Sequence, residues 1–154
     1  MFCKRLFFYN LIFFSLYAQE DLKYQVPPKA ILDLIDVTMP PRVLVDDNKN
    51  YMIYLYRDTY KTIEELSEKE MRLAGLRINP KTNIGSRVSY YNYIKISSVG
   101  NSPSKIYDVK GMPRGPRLSN IKWSPDQTKI AMTNTTKEGV ELWILDLKSS
   151  KLKR

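Results

Sequence analysis

Trp123-Ser124-Pro125-Asp126-Gln127-Thr128-Lys129-Ile130-Ala131 reads as the end of one strand, a polar turn and the start of another. Proline pre-sets the backbone angle a turn needs, and an aspartate after it can accept hydrogen bonds from nearby amides. The same reading fits Val45-Asp46-Asp47-Asn48-Lys49-Asn50-Tyr51-Met52-Ile53, at an offset of 78 residues. Segment 59–88 interrupts the pattern between the two, and setting aside its 30 residues leaves a period of 48. Later segments agree: Ile94-Lys95-Ile96 aligns with Trp143-Ile144-Leu145 at an offset of 49, and Ile106-Tyr107 with Leu152-Lys153 at 46. A period in the forties with four strands per unit is the pattern of β-propeller blades. The expected fold is therefore all-β: a partial β-propeller of about two four-stranded blades, with a short N-terminal helix and a 30-residue insertion.

The remaining elements follow from that frame. Pro27-Pro28 precedes Lys29 to Val37, where Ile31, Leu34 and Ile35 share one face of a short helix, and Pro40-Pro41 ends it. Period-two strands are expected at Arg42–Val45, Tyr51–Arg57, Ser89–Ser97, Lys105–Val109, Ile121–Trp123, Lys129–Thr133, Val140–Leu147 and Lys151–Arg154. Thr62-Ile63-Glu64-Glu65 has capping-box spacing and opens one helical turn. Leu73-Ala74-Gly75-Leu76-Arg77-Ile78 reads as a strand. The prolines and glycines of Gly111 to Pro116 forbid regular structure and separate a first blade at 42–110 from a second at 111–154. Trp123 and Trp143 offer large apolar areas for packing between blades.

Composition removes whole classes of chemistry. The 154 residues include 25 Lys+Arg, 16 Asp+Glu and no histidine. A Ser-His-Asp triad, a Cys-His dyad and a histidine-ligated metal all need an imidazole. One cysteine, Cys3, permits neither a disulfide framework nor a cysteine zinc site. The net charge of +9 suits an acidic partner in principle. The basic residues are scattered, however, and only Lys148, Lys151, Lys153 and Arg154 cluster, so a solvated surface rather than a nucleic-acid interface is expected.

Residues 1–18 read as a secretory signal peptide, with Lys4 and Arg5 ahead of an apolar run from Leu6 to Tyr17 and cleavage near Ala18. That run is too short for a bilayer core of roughly 30 Å. All five phenylalanines fall inside this segment. Residues 19–41 then form an extension carrying the short helix, and the expected location is periplasmic or extracellular with no stable membrane span.

Tyr24-Gln25-Val26-Pro27-Pro28 with Ile31 and Asp33, Leu73 to Ile78, and the Trp123-Ser124-Pro125-Asp126 turn with Val140-Glu141-Leu142-Trp143-Ile144 together resemble a known family. They are similar to the N-terminal region of the glutamyl endopeptidase branch of the prolyl oligopeptidase family of serine peptidases. The resemblance implies a propeller joined to a C-terminal α/β-hydrolase domain that holds the catalytic triad and cleaves peptides, in this branch after Glu. The propeller would cap that active site. This sequence contains no Gly-x-Ser-x-Gly elbow and no histidine, so no catalytic residue of the family transfers to it. Asp126 and Asp146 are blade residues by pattern and carry no catalytic role.

The resulting expectation is the N-terminal propeller fragment of an exported serine peptidase, stopping before propeller closure and inactive alone. Its partners would be the missing blades, the hydrolase domain and, in an intact parent, peptide substrates. No cofactor or metal is implied. The alternative is a free-standing exported binding or scaffold module. Arg72, Arg77 and Arg87 of the insertion are the candidates for attracting acidic substrate, against the plainer expectation of surface arginines on a long loop.

Overall fold

A computed structural model describes residues 25–100 and 105–154. The signal peptide and Tyr24 lie outside the described residues, as does most of the loop expected at Gly100–Ser104. The chain divides into two units, residues 1–36 and Val37–Arg154. In the first, helix α1 (Lys29–Ile35) follows Pro28, whose φ of −53° suits a helix entry, and it closes at Asp36, whose N–H donates to the Leu32 carbonyl.

The second unit holds two four-stranded antiparallel meanders. The first blade runs β1 (Arg42–Val45), β2 (Tyr51–Tyr56), β5 (Tyr93–Ser98) and β6 (Ile106–Asp108). The second runs β7 (Leu118–Trp123), β8 (Lys129–Thr135), β9 (Val140–Asp146) and β10 (Lys151–Lys153). The insertion lies between the second and third strands of the first blade. It carries helix α2 (Ile63–Ser67) and the hairpin β3 (Met71–Leu73) with β4 (Leu76–Ile78).

The two turns that revealed the repeat are built alike. In the first, Asp46 N–H donates to Tyr51 O and Tyr51 N–H donates to Asp46 Oδ1. In the second, Ser124 N–H donates to Lys129 O and Lys129 N–H donates to Ser124 Oγ. A carboxylate and a hydroxyl thus do the same work at matching positions. Lys49 and Gln127 both take φ of 57°, the left-handed conformation that closes each turn.

Strand register fixes the third-strand offset at 48 rather than 49. Tyr51 pairs with Ser98, and its counterpart Lys129 pairs with Asp146. The hydrophobic pattern misaligns this strand by one because the two blades bury opposite faces. Ile53, Leu55, Ile94 and Ile96 of the first blade form one core with Ile130, Met132, Leu145 and Leu147 of the second. Facing blades present non-equivalent sides, so the buried positions shift by one residue between repeats.

Two further corrections concern the strands. Leu73 to Ile78 is a hairpin, not one strand, because Ala74 and Gly75 take φ of 45° and 87°, the signature of a two-residue primed turn. The first strand of the second blade begins at Leu118, earlier than Ile121, and a bulge between Ser119 and Lys122, with Asn120 at φ 51°, hides its periodicity.

Backbone joins the blades at both ends. Tyr91 and Leu118 exchange N–H···O bonds of 2.9 and 3.0 Å. Lys110 N–H donates to Ser150 O and Leu152 N–H donates to Lys110 O, both at 2.8 Å. Gln127 Nε2 also reaches Asp47 Oδ2 at 3.1 Å, linking the two equivalent turns.

Candidate functional site

The insertion builds a concavity lined almost wholly by charged and polar side chains. Thr62 caps α2 through Glu65 N–H, and the Glu65 carboxylate accepts from Thr62 N–H in return. The helix buries none of its residues; Ile63 is 87 % exposed. What holds this segment to the second blade is charge. Arg117, fixed between Pro116 and β7, places Nη1 3.0 Å from Glu68, stacks over the Tyr90 ring at 4.7 Å, and has its buried Nε 3.6 Å from Glu65. Lys137 in the β8–β9 turn meets Glu64 at 2.8 Å, and this pair holds the Glu64 carboxyl below its usual range and raises the Lys137 ammonium. That pair is exposed and contributes little; the half-buried Arg117 cluster is the stronger fastening.

Arg117→Gln is therefore expected to loosen the insertion selectively. Amide exchange across 62–79 should speed up roughly tenfold, the equivalent of losing one charge-assisted contact. Exchange in β8 and β9 should stay unchanged. Uniform acceleration throughout the second blade would contradict this attachment.

The structure brings the three arginines expected from the sequence into one cleft of about 490 Å3, shared with Lys61, Glu65, Glu68, Glu70 and Ser86. They are not equivalent there. Glu70 Oε1 lies 3.2 Å from Arg72 Nε and 3.1 Å from Arg77 Nη1, while Glu70 Oε2 accepts from Ser86 Oγ at 2.6 Å. The Ser86 hydroxyl first, then the two guanidiniums, hold the Glu70 carboxyl below its usual range. Arg72 and Arg77 are thus engaged by a carboxylate of the chain itself. Exposed Arg87 and half-buried Lys61 remain as the cleft's other cations. Sequence reading missed Glu70, Lys61 and Arg117, because their partners are set by the hairpin turn and by a contact across 49 residues.

The motif residues of the second blade have structural surroundings. Ser124 Oγ donates to Asp126 Oδ1 at 2.6 Å and Thr128 Oγ1 donates to Asp126 Oδ2 at 2.7 Å. These hydroxyls, with the Thr128 N–H, pull the Asp126 carboxyl down from 3.8 to about 2. Pro125 sits exposed at the turn's corner. Trp123 and Trp143 pack partly buried against the inter-blade core, and Trp143 Nε1 donates to Glu141 Oε2 at 2.8 Å. Asp146 accepts from the N–H and hydroxyl of Ser149, which lowers its carboxyl and closes the β9–β10 turn.

A carboxyl depressed on folding adds stability above its unfolded value and loses it as pH falls through the folded one. Asp126 therefore contributes fully above about pH 3.8 and ceases to contribute near pH 2. Asp126→Asn should melt below wild type at pH 6, with the gap closing between pH 4 and pH 2 in a thermal series. A gap independent of pH would contradict the hydrogen-bonded carboxylate.

Among the described residues no group of three or more His, Cys, Asp or Glu could hold a metal ion. Among them also, no helix is long and apolar enough to cross a membrane.

Two four-stranded meanders packed face to face around one core, with antiparallel sheets that close no barrel, define a partial propeller. No family model and no solved structure matches the chain. Two curated proteins do. The chain is 30 % identical over 136 residues to the "Probable glutamyl endopeptidase, chloroplastic" of Oryza sativa subsp. japonica. It is 27 % identical over 135 residues to the protein of the same name from Arabidopsis thaliana. Each alignment covers 82 % of this chain and 14 % of the relative, so the chain spans about one seventh of the length of the proteins it matches. It is a homologue of proteins named as glutamyl endopeptidases.

Proposed function

We propose that this chain is the paired-blade, non-catalytic region of an exported serine peptidase of the prolyl oligopeptidase type, in the branch that cleaves after Glu. The observation that carries the reading is the alignment: most of this chain corresponds to a small part of proteins named as peptidases. The histidine-free sequence supports a structural rather than catalytic share in the reaction, since the expected triad needs an imidazole base. In a whole peptidase, further blades and the hydrolase domain take up the chemistry, and the blades restrict access to it. The 490 Å3 cleft is read as acid-attracting through Arg87 and Lys61, with Arg72 and Arg77 held back by Glu70. Export rests on the signal-peptide pattern of residues 1–18.

The test is the mass of the product made at the native locus, measured in the exported fraction. A species several times larger, containing peptides of a Gly-x-Ser-x-Gly domain, is expected. Hydrolysis of Glu-containing peptides by the extensively purified 154-residue chain would overturn the non-catalytic reading.

A further inference from the structure

Arg72 and Arg77 stand directly opposite each other across the β3–β4 hairpin. Like charges in that relation repel, so the pair is stable only with an anion between them. Glu70 is that anion, and its two oxygens are received separately: Oε1 by Arg72 Nε and Arg77 Nη1, Oε2 by the Ser86 hydroxyl. Two guanidiniums and a hydroxyl converging on both oxygens are the donor set of a carboxylate receptor. The backbone positions of these donors are set without Glu70. Hairpin register places the arginines, and Ser86 N–H donates to Arg77 O at 2.9 Å beside the Ile78–Gly85 bridge. Glu70 itself lies between α2 and β3, outside both elements. The receptor is also reachable and positive. The Arg72 side chain is 73 % exposed, and the cleft's other carboxylates, Glu65 and Glu68, are turned to Arg117. Lys61 Nζ donates to a neutral partner, the Ser86 carbonyl, and exposed Arg87 makes no ion pair among the described residues.

We propose that Glu70 is a built-in competitor in a binding site for acidic peptides. One glutamate side chain of the peptide takes the place of Glu70 between Arg72, Arg77 and Ser86, while a neighbouring one meets Lys61 and Arg87. The proposal rests on the acid-attracting reading of the cleft and adds how that cleft is held shut. A tethered carboxylate competes at an effective concentration of roughly millimolar or more. A peptide displaces it by engaging Lys61 and Arg87 at the same time, which makes its own second carboxylate tethered too. Apparent affinity falls in proportion to the fraction of time that the internal ligand leaves the site open. An arginine pair filled by Glu70 about nine-tenths of the time thus binds a peptide about tenfold more weakly than the same pair vacated.

Titrating the full 154-residue chain with acetyl-tetraglutamate amide, followed by heteronuclear NMR, tests this. Wild type should bind weakly, and Lys61→Gln with Arg87→Gln should abolish that binding. Glu70→Gln should bind about tenfold more tightly, with the signals of Arg72 Nε and the Ser86 amide shifting on titration. Glu70→Asp keeps the charge but is one methylene too short to reach both arginines and Ser86 together, and should gain about threefold. Adding Arg72→Gln and Arg77→Gln to Glu70→Gln should remove the gain. Glu138→Gln, on the exposed β8–β9 turn, makes the same change in net charge and should bind as wild type does. Unchanged amide shifts in β8 and β9 verify the fold of each variant. Glu70→Gln binding no more tightly than a wild type that still binds through Lys61 and Arg87 would overturn the competitor and leave the cleft acid-attracting. Absence of binding in every variant would overturn both. Equal gains from Glu138→Gln, or for an oligothymidylate in place of the peptide, would reduce the effect to net charge and likewise overturn the proposal.

Discussion

Leu145→Ala should lower the unfolding free energy by about 3 kcal/mol, while Ile144→Ala, one residue away on the same strand, should cost less than about 1 kcal/mol. Leu145 is fully buried in the inter-blade core, and Ile144 is 44 % exposed on the opposite face of β9. Truncating the first leaves a cavity between two sheets that cannot collapse without moving both, which adds to the lost transfer free energy. Truncating the second removes contacts already shared with water. In the first blade the equivalent strand reverses this preference: Ile96, the register counterpart of Ile144, is 2 % exposed, so Ile96→Ala should fall with Leu145→Ala. Urea titration of the three variants reads the result. Equal losses at positions 144 and 145 would contradict the assignment of faces.

Gly111→Ala should cost about 3 kcal/mol although it removes nothing. Gly111 takes φ of +79°, where a side chain is strained, and a Cβ there would lie 2.5 Å from the Leu152 carbonyl oxygen. The obstacle is backbone and cannot swing aside, so the segment must retreat. The neighbouring Lys110 N–H and carbonyl bind Ser150 and Leu152, the only backbone bonds among those described that tie the end of the first blade to β10. The loss should therefore be accompanied by faster exchange of the Leu152 amide, measured alongside denaturant unfolding. Gly115→Ala serves as the comparison, since a Cβ there meets nothing within 4 Å and only its φ of +56° penalises the change. Equal effects at the two glycines would show that the close approach to Leu152 is not what matters.

Much of this architecture was legible in the residues because local chemistry and blade geometry agree. The Trp123 to Ala131 and Val45 to Ile53 segments announce their turns through Pro, Asp and Asn, and those turns share the same closing backbone bonds and the same side-chain bond at their first residue. Thr62 and Glu65 form the capping box their spacing predicts. What stayed hidden depends on information absent from a local window. The third-strand offset came out one residue long because matching apolar with apolar assumes that both repeats bury the same face, and here they bury opposite ones. The Ala74-Gly75 reversal was obscured by the apolar residues on either side, which read as a continuous strand. Of the cleft, the three arginines were visible as candidates, but their engagement by Glu70 follows from the hairpin that the strand reading missed. Arg117 sits among prolines and glycines with nothing local to mark it, and its role appears only when β7 brings it under the insertion.

The central claim, that two equivalent blades pack through opposite faces into one structural unit, is tested most directly by long-range backbone NOEs. Cross-peaks between Tyr91 and Leu118 and between Lys110 and Lys151 should appear alongside the within-blade ones that join Ile53 to Ile96 and Ala131 to Ile144. Intact within-blade cross-peaks with none across the two bridges would mean two separate sheets, and the account of the fold would be wrong.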